Sequence, residues 1–200
     1  MKQTEKTAIT KQKILEAAEK EFSENGFGAT RIDKIAEVSG VNKKLIYSHF
    51  GNKEQLYSTV LLNVYSRLSE YEEIISQKEF TGKETIRETI LRYFEFLAKN
   101  PTFVRMVLWE NLNGAQYTDN VHPRIFAGAQ KILEKGIEKG KIRADLDIEQ
   151  TVMSMNMFCF SAFSNTGTIS KILKKDLFSQ KELNRRAEHI ADVLEKYIFE

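Results

Sequence analysis

Residues 30–53 of the chain read TRIDKIAEVSGVNKKLIYSHFGNK. The apolar residues of the first half recur at helical spacing and stop at Gly40, and a second short helix is predicted to begin after Asn42, whose side chain can cap it. Two helices that cross over a tight turn need a small residue in the first helix and a permissive one at the turn, as Ala36 and Gly40 provide. This stretch therefore predicts a helix-turn-helix over about residues 31–50.

The second helix of this motif is predicted to present a face of charged, hydrogen-bonding and aromatic side chains. Such a mixture suits the base edges of a DNA major groove, while flanking residues can reach phosphates with side chains, amides and helix dipoles. The predicted DNA-binding residues are Thr30, Arg31, Lys43, Lys44, Tyr47, Ser48, His49 and Lys53. An isolated pair of lysines is more often a solvated surface, but a short helix that follows a glycine turn and has apolar residues available inward favours DNA binding.

The net charge of +2 is unevenly distributed along the chain. Residues 1–53 carry ten basic and seven acidic side chains, so the positive excess lies in this part. Residues 43–53 contain no acidic side chain. A local basic patch of this kind is what binding to DNA phosphates requires.

The rest of the chain is predicted to be helical as well. Runs rich in Glu, Lys, Leu, Ile and Ala dominate, and only two prolines occur, so we expect an all-α fold. We divide the chain into a three-helix DNA-binding domain at residues 1–53 and a larger helical domain at residues 54–200. The boundary falls within or near the predicted fourth helix, because no flexible segment separates the two parts.

Helix-start patterns predict nine helices. The first should run over about residues 10–25 and end at Gly26, and another should cover about residues 123–139. Asn42 and the Asn100-Pro101 pair mark two further starts. A capping residue followed three positions later by an acidic or amide side chain marks the remaining five starts, at Thr30, Asn52, Thr81, Asp147 and Ser179.

These residues together resemble the signature of TetR-family repressors. The resemblance covers about the first third of the chain, and it rests on Phe22, Gly26, Phe27, Thr30, Ile35, Ala36, Gly40, Val41, Tyr47, Phe50, Asn52, Lys53 and Leu56. It implies a nine-helix, two-module fold, in which residues 54–200 form the effector-binding and dimerisation domain. It also implies a dimer, and release of operator DNA when an effector binds. Lys44 stands where the family often has glycine, and Leu45 where it often has a small polar residue. Lys44 could add a phosphate or guanine contact, and Leu45 could face inward or touch a thymine methyl group.

The last two predicted helices carry apolar stripes that are suited to dimerisation. Two such pairs form a four-helix interface, and a helix-turn-helix usually works in pairs. The alternative is that both stripes close the core of the monomer. The predicted dimer contacts are Met155, Phe158, Cys159, Ala162, Phe163, Ala187, Ile190, Leu194 and Tyr197.

The middle helices are rich in aromatic residues and methionine. Such residues are more often ordinary core, and it is the family resemblance that favours a pocket for a mostly apolar effector. The candidate pocket residues are Phe94, Phe103, Met106, Trp109, Glu110, Asn113, Tyr117, Phe126, Met153, Asn156, Met157 and Phe160.

The predicted function is therefore a sequence-specific DNA-binding regulator, a repressor released from a palindromic operator by a small molecule. The alternative is a DNA-binding dimer without an effector, whose body serves dimerisation or the binding of a protein partner. An enzyme is not expected, because the three histidines lie far apart and no Walker, dinucleotide or HExxH motif occurs. No cofactor or metal motif occurs either.

The sequence also predicts a cytoplasmic protein. Cys159 is the single cysteine, so no intrachain disulfide can form and a reducing compartment fits. Residues 1–13 are polar and charged, without the apolar run of a secretion signal. No stretch approaches the ~18 apolar residues of a membrane span.

Overall fold

The computed structural model describes residues 3–118 and 126–200. All regular secondary structure in these ranges is helical, which confirms the all-α prediction. None of the helices within them has the length and apolar character needed to cross a membrane. The helices are α1 (Gln3–Ala29), α2 (Ile32–Ser39), α3 (Lys43–Phe50), α4 (Lys53–Ser76), α5 (Lys83–Lys99), α6 (Pro101–Leu112), α7 (Ala127–Glu138), α8 (Ile148–Ser164), α9 (Thr166–Leu173) and α10 (Gln180–Phe199).

Helix α9 is the difference between the ten helices of the described ranges and the nine that were predicted. Asn165 both ends α8 and begins α9, with φ −107° and ψ −7°, and its side chain makes no capping hydrogen bond. Thr166 is buried, and its hydroxyl donates to the Ala162 carbonyl. Because no side-chain cap marks this junction, helix-start patterns do not reveal it.

Three of the predicted helix starts are confirmed by hydrogen bonds. The Oδ1 atoms of Asn42 and Asp147 each accept from the backbone N–H three residues on, at 2.9 and 3.0 Å. Asn52 and Gln55 form a reciprocal pair, in which each side-chain oxygen accepts from the other residue's backbone N–H at 2.8 and 3.1 Å. These bonds satisfy N–H groups that have no partner inside the helix.

Three other helices begin at or one residue after the predicted cap position, but the predicted side-chain caps were wrong. Thr30 is buried, and its hydroxyl donates to the Gly26 carbonyl at 2.7 Å instead of capping α2. Gly82, rather than Thr81, stands at the cap position of α5. Ser179 is the N-cap residue of α10, as predicted, but its hydroxyl makes no capping hydrogen bond. In each case the hydroxyl has another partner nearby, which a sequence pattern does not show.

By compactness the chain divides into two units. Among the described residues, unit 1 comprises residues 3–66 and 105–118, and unit 2 comprises residues 67–104 and 126–200. The predicted division of function at residues 53 and 54 stays a prediction.

The core of unit 1 holds the helix-turn-helix in place. Helix α1 packs on α2, and α2 packs on α3. The side chains at the centre are fully buried, and they are Ile14, Phe22, Ile35, Ile46, Leu56 and Tyr57. Because one face of each of the first three helices is used in this core, α3 keeps its other face for solvent or a ligand.

Gly26 breaks α1 at the predicted position. Its backbone angles are φ 71° and ψ 172°, a region that is essentially restricted to glycine. A Cβ atom here would lie 2.8 Å from two ring carbons of Trp109. The indole Nε1 of Trp109 donates to the Ser23 carbonyl at 3.2 Å, so the ring is fixed against this backbone. Glycine is therefore required both by the backbone angles and by the close packing of the indole.

Unit 2 is a helical bundle in which α5, α8 and α10 pack against one another. Its buried centre includes Ile86 and Ile90 on α5, Cys159 on α8, and Ile190 and Leu194 on α10. Burial raises the pKa of the Cys159 thiol to about 12, so this residue stays a neutral core side chain at physiological pH.

Candidate nucleic-acid interface

Helix α3 is fixed to unit 1 along one side. Ile46 is 1% exposed and anchors the helix in the core. Gly40 ends α2 in the left-handed conformation, with φ 67° and ψ 18°, so the chain turns within two residues before Asn42 caps α3. The turn and the cap together set the direction of α3, and Ile46 sets its rotation.

The opposite face of α3 is open to solvent. Lys43, Lys44 and Ser48 are exposed, and Leu45 and Tyr47 are 37% and 39% exposed. The predicted arrangement of cations, a hydroxyl group and an aromatic ring is therefore present on one surface. Leu45 faces outward, which leaves its methyl groups available to a thymine methyl group rather than to the core.

Lys43 is paired with an acidic residue of the neighbouring helix. Its Nζ lies 2.9 Å from Oδ1 of Asp33 in the first turn of α2. The hydrogen bond to Asp33 raises the pKa of Lys43, so the ammonium group is charged at physiological pH. In the sequence, Asp33 is the acidic residue three positions after the predicted cap Thr30, and no local pattern indicates its pairing with Lys43, since the two residues lie ten positions apart.

Lys53 is held at the end of α1. Its Nζ lies 4.6 Å from the centroid of the Phe27 ring and donates to the Gly28 carbonyl at 3.4 Å. Partial burial lowers the pKa of Lys53. The side chain is thus restrained by a cation–π contact, and its position is compatible with a fixed phosphate contact.

The remaining predicted DNA contacts differ in their exposure. Arg31 is exposed, and His49 is half-buried next to Phe50, with ring centroids 6.3 Å apart. Thr30 is 3% exposed, and its hydroxyl is used inside unit 1. The Thr30 side chain is therefore not available at the surface for a phosphate.

Unit 1 also contains a buried polar and aromatic cluster. Glu110, which is 1% exposed, accepts hydrogen bonds from the Tyr57 hydroxyl at 2.7 Å and from the Tyr117 backbone N–H at 3.1 Å. The rings of Phe27, Tyr57 and Tyr117 have centroids 5.0–5.3 Å apart. Burial and the bond to Glu110 raise the pKa of Tyr57 well above its ordinary value. Glu110 and Tyr117 were predicted to line a pocket, and in unit 1 they complete this cluster.

A small cavity lies in unit 2 beside a buried carboxyl group. Its volume is about 20 Å³, room for about one water molecule, and it is bordered by Tyr93, Phe126, Asn156 and Glu72. Asn156 donates to the Tyr93 hydroxyl at 3.1 Å. Phe126 and Asn156 belong to the predicted pocket, whereas Glu72 and Tyr93 were not among the predicted residues.

Glu72 is 5% exposed and caps α7 from a different helix. Its Oε2 accepts from the Ala129 backbone N–H at 3.0 Å, in the first turn of α7. Burial raises the pKa of Glu72 to about 7, although the backbone bonds from Gly128 and Ala129 act in the opposite direction. No sequence signal points to this role, because an acidic residue on a long helix is usually solvated.

The other predicted pocket residues are distributed over both units. In unit 1, Met106 is buried, Trp109 is half-buried and Asn113 is exposed. In unit 2 the remaining five range from buried to exposed, and they are Phe94 and Phe103 (buried), Phe160 (half-buried), and Met153 and Met157 (exposed).

The predicted dimer contacts separate by burial. Five of them are covered within unit 2 itself, namely Met155, Cys159, Ala187, Ile190 and Leu194. Ala162 and Phe163 are half-buried, and Phe158 and Tyr197 are 39% and 45% exposed. The exposed apolar side chains on the same helices are Met153, Met157 and Val193.

Two family models match the chain. The one described as bacterial regulatory proteins, tetR family, matches residues 14–60, and the one described as tetracyclin repressor-like, C-terminal domain, matches residues 83–194. The HTH-type transcriptional repressor NicS of Pseudomonas putida is 30% identical over 188 residues, which span 88% of this chain and 89% of NicS. The HTH-type transcriptional repressor AcnR of Corynebacterium glutamicum is 24% identical over 179 residues, 84% of this chain and 91% of AcnR.

Solved structures share the fold. SCO4942 from Streptomyces coelicolor superposes with a TM-score of 0.75 at 21% identity, covering 94% of this chain and 98% of its own. FadR from Bacillus subtilis, solved in complex with stearoyl-CoA, superposes with a TM-score of 0.68 at 24% identity, covering 94% and 98%.

Proposed function

The chain belongs to the TetR family of bacterial transcriptional regulators, and from this premise we propose that it is a repressor that binds operator DNA as a homodimer. The operator is palindromic, because a two-fold dimer presents its two recognition helices to two equivalent half-sites. A mostly apolar small molecule that binds within residues 54–200 releases the protein from the operator. A cytoplasmic location follows, since the operator lies there.

The observation that carries the DNA-binding proposal is the free face of α3. Its side chains are exposed while Ile46 on the other side is buried, so the helix can enter a major groove without unfolding any of the core. Arg31 and Lys53 supply flanking positive charge for phosphates. Repression is supported by the names of the relatives NicS and AcnR, both transcriptional repressors.

The dimer proposal rests on the exposed apolar side chains of α8 and α10. Phe158 and Tyr197, together with Met153, Met157 and Val193, form no part of the core of one protomer. Covering them in a second copy would remove their apolar area from water, which favours association. In such a dimer the buried members of the predicted contact set stay in the core of their own protomer; they are Met155, Cys159, Ala187, Ile190 and Leu194.

The effector proposal rests on a structural relative. FadR, a protein with the same fold, binds stearoyl-CoA in its crystal structure, which supports an effector in this chain. The 20 Å³ cavity supports the alternative, a DNA-binding dimer whose body serves dimerisation or a protein partner. An open cleft of about 490 Å³ in unit 2, lined by residues that include Ala162, Ile169 and Leu183, does have room for a small molecule.

The DNA proposal is tested with the double variant Lys43→Ala, Tyr47→Ala. Binding of the wild-type protein to DNA upstream of its own gene, measured at physiological salt with excess unrelated DNA, should be tight and resist the competitor. The variant should bind that DNA at least about tenfold more weakly, because two groups of the recognition face are lost.

Lys131→Ala is the matched control, because Lys131 is an exposed lysine of α7 in unit 2 and its loss changes the net charge without touching α3. It should bind the operator within about twofold of the wild type, a change typical of a distant surface charge. Absence of selective binding to any genomic fragment by the folded wild-type protein would refute the regulator proposal.

The effector proposal is tested by a thermal-shift screen of small apolar compounds. A true effector at ~100 times its dissociation constant stabilises the folded protein by about 2.7 kcal/mol and should raise the melting temperature by several degrees. The same compound should lower operator affinity, since only a ligand with different affinities for two states can shift them. Compounds that stabilise the protein but leave operator binding unchanged would favour the alternative without an effector.

A further inference from the structure

The Asp33–Lys43 ion pair joins the two helices of the helix-turn-helix at its DNA-facing surface. Both side chains remain largely exposed, 71% for Asp33 and 48% for Lys43, so the pair is accessible to a ligand. Asp33 lies one residue into α2 and Lys43 is the first residue of α3. A carboxylate therefore stands directly beside the first cation of the recognition helix.

The ion pair with Asp33 limits which DNA groups Lys43 can contact. A lysine carries its charge on a flexible four-carbon stem and, when unrestrained, can reach any nearby phosphate. A phosphate contact strengthens binding to every sequence equally. If Lys43 bridges Asp33 and a phosphate, the carboxylate is brought close to the negative charge of that phosphate; if Lys43 leaves Asp33 for the phosphate, Asp33 becomes an unpaired negative charge that faces the DNA backbone. Binding through phosphates alone is therefore penalised at this position.

A base contact carries no such penalty. The N7 and O6 atoms of guanine are neutral acceptors, so an ammonium group can donate to them while it keeps its bond to Asp33. Three donor hydrogens on Lys43 are enough for both. The pair thus disfavours sequence-independent binding and leaves base reading possible.

The second ion pair of α2 differs in this respect. Lys34 Nζ and Glu37 Oε2 are 2.9 Å apart, but both residues belong to α2, so this pair includes no cation of the recognition helix. Their separation of three residues is the ordinary spacing of a surface pair within one helix. Glu37→Gln therefore removes one negative charge from α2, as Asp33→Asn does, but it does not release a lysine of α3.

We propose that Asp33 is a specificity-determining residue that withholds Lys43 from phosphates and keeps it for a base edge. This inference rests on the proposed DNA-binding function of α3. Asp33 acts through Lys43, so it is a positioning residue rather than a direct reader of sequence.

The experiment compares Asp33→Asn with Glu37→Gln, Lys43→Ala and the double variant Asp33→Asn, Lys43→Ala. Each protein is titrated with a duplex that the wild-type protein selects from random-sequence DNA and with a shuffled duplex of the same composition, at several salt concentrations. Circular dichroism confirms that each variant is folded.

Asp33→Asn should bind the shuffled duplex about fivefold more tightly, which is the scale of an exposed ion pair. The slope of its log Kd against log salt concentration should be steeper by about 0.9, the value expected for one additional phosphate contact. Affinity for the selected duplex should change less, so the preference between the two duplexes falls. Most of this effect should be absent when Lys43→Ala is already present, because the two residues act as one pair.

Two results would overturn the proposal. One is an equal loss of preference in Glu37→Gln, which would indicate a general effect of net charge. The other is an Asp33→Asn variant whose preference and salt slope match the wild type. Failure of the wild-type protein to enrich any sequence would be a separate result, because it would refute the proposed function itself and this inference with it.

Discussion

Gly26→Ala is expected to lower the free energy of unfolding of unit 1 by about 4 kcal/mol. The backbone angles of Gly26, φ 71° and ψ 172°, destabilise any residue with a Cβ atom by about 1–3 kcal/mol. The new Cβ would lie 2.8 Å from two carbons of the Trp109 ring, and forcing an additional carbon into a packed interior costs about 1–3 kcal/mol more. Trp109 cannot move away freely, because its Nε1 is bonded to the Ser23 carbonyl.

Urea unfolding followed by tryptophan fluorescence measures this effect, since Trp109 is the single tryptophan of the chain and lies in unit 1. Gly28→Ala is the matched control, because a Cβ there would meet no atom within 4 Å and the backbone is not left-handed. The control should change stability by no more than about 1 kcal/mol, the ordinary difference between glycine and alanine. Equal losses in the two variants would contradict the role assigned to Gly26.

Glu72→Gln is expected to remove about 3 kcal/mol of pH dependence from the stability of unit 2. The pKa of Glu72 is about 7 in the folded protein and 4.5 in its ordinary state. As pH rises between these values, the unfolded chain releases the Glu72 proton while the folded chain still holds it, so the wild-type protein loses stability. Below about pH 4.5 the stabilisation from this carboxyl group is fully present, and above about pH 7 it is lost.

The measurement is the difference in unfolding free energy between wild type and Glu72→Gln from pH 4.5 to 7.5. Glutamine has the same shape, and its amide oxygen can still accept from the Ala129 N–H, so other titrating groups cancel in the difference. Glu73→Gln, at the exposed neighbouring position, removes a carboxyl group from the same helical turn and is the matched control. A difference curve that is flat over this range would show that Glu72 titrates normally in the folded protein.

The helix-turn-helix could be predicted from sequence because its signals are local. Ala36, Gly40 and Asn42 act within a few residues of their own positions, and the structure has the turn and the cap where the sequence predicted them. Thr30 could not be assigned in this way, since its hydroxyl bonds to the Glu21 and Gly26 carbonyls. A hydroxyl group takes whichever acceptor the fold brings closest.

Pockets and interfaces were less predictable than helices. Trp109 belongs to an aromatic set that also contains core residues, and Glu110 follows it directly in sequence. This pattern alone does not distinguish a pocket wall from a packed cluster. In the structure both residues pack within unit 1, against Tyr57 and Gly26. Residue type at helical spacing predicts which face of a helix is buried, but not what buries it.

The sequence by itself determined the all-α fold class, the helix-turn-helix and the family, because helix period, turn glycines and caps are properties of neighbouring residues. Only the tertiary structure decided which charged groups are paired or buried. Asp33 meets Lys43 across a turn, and Glu72 meets Ala129 from 57 positions away. The environment of a charge is set by distant segments that folding brings together, and burial and pairing there fix its pKa and its availability to DNA.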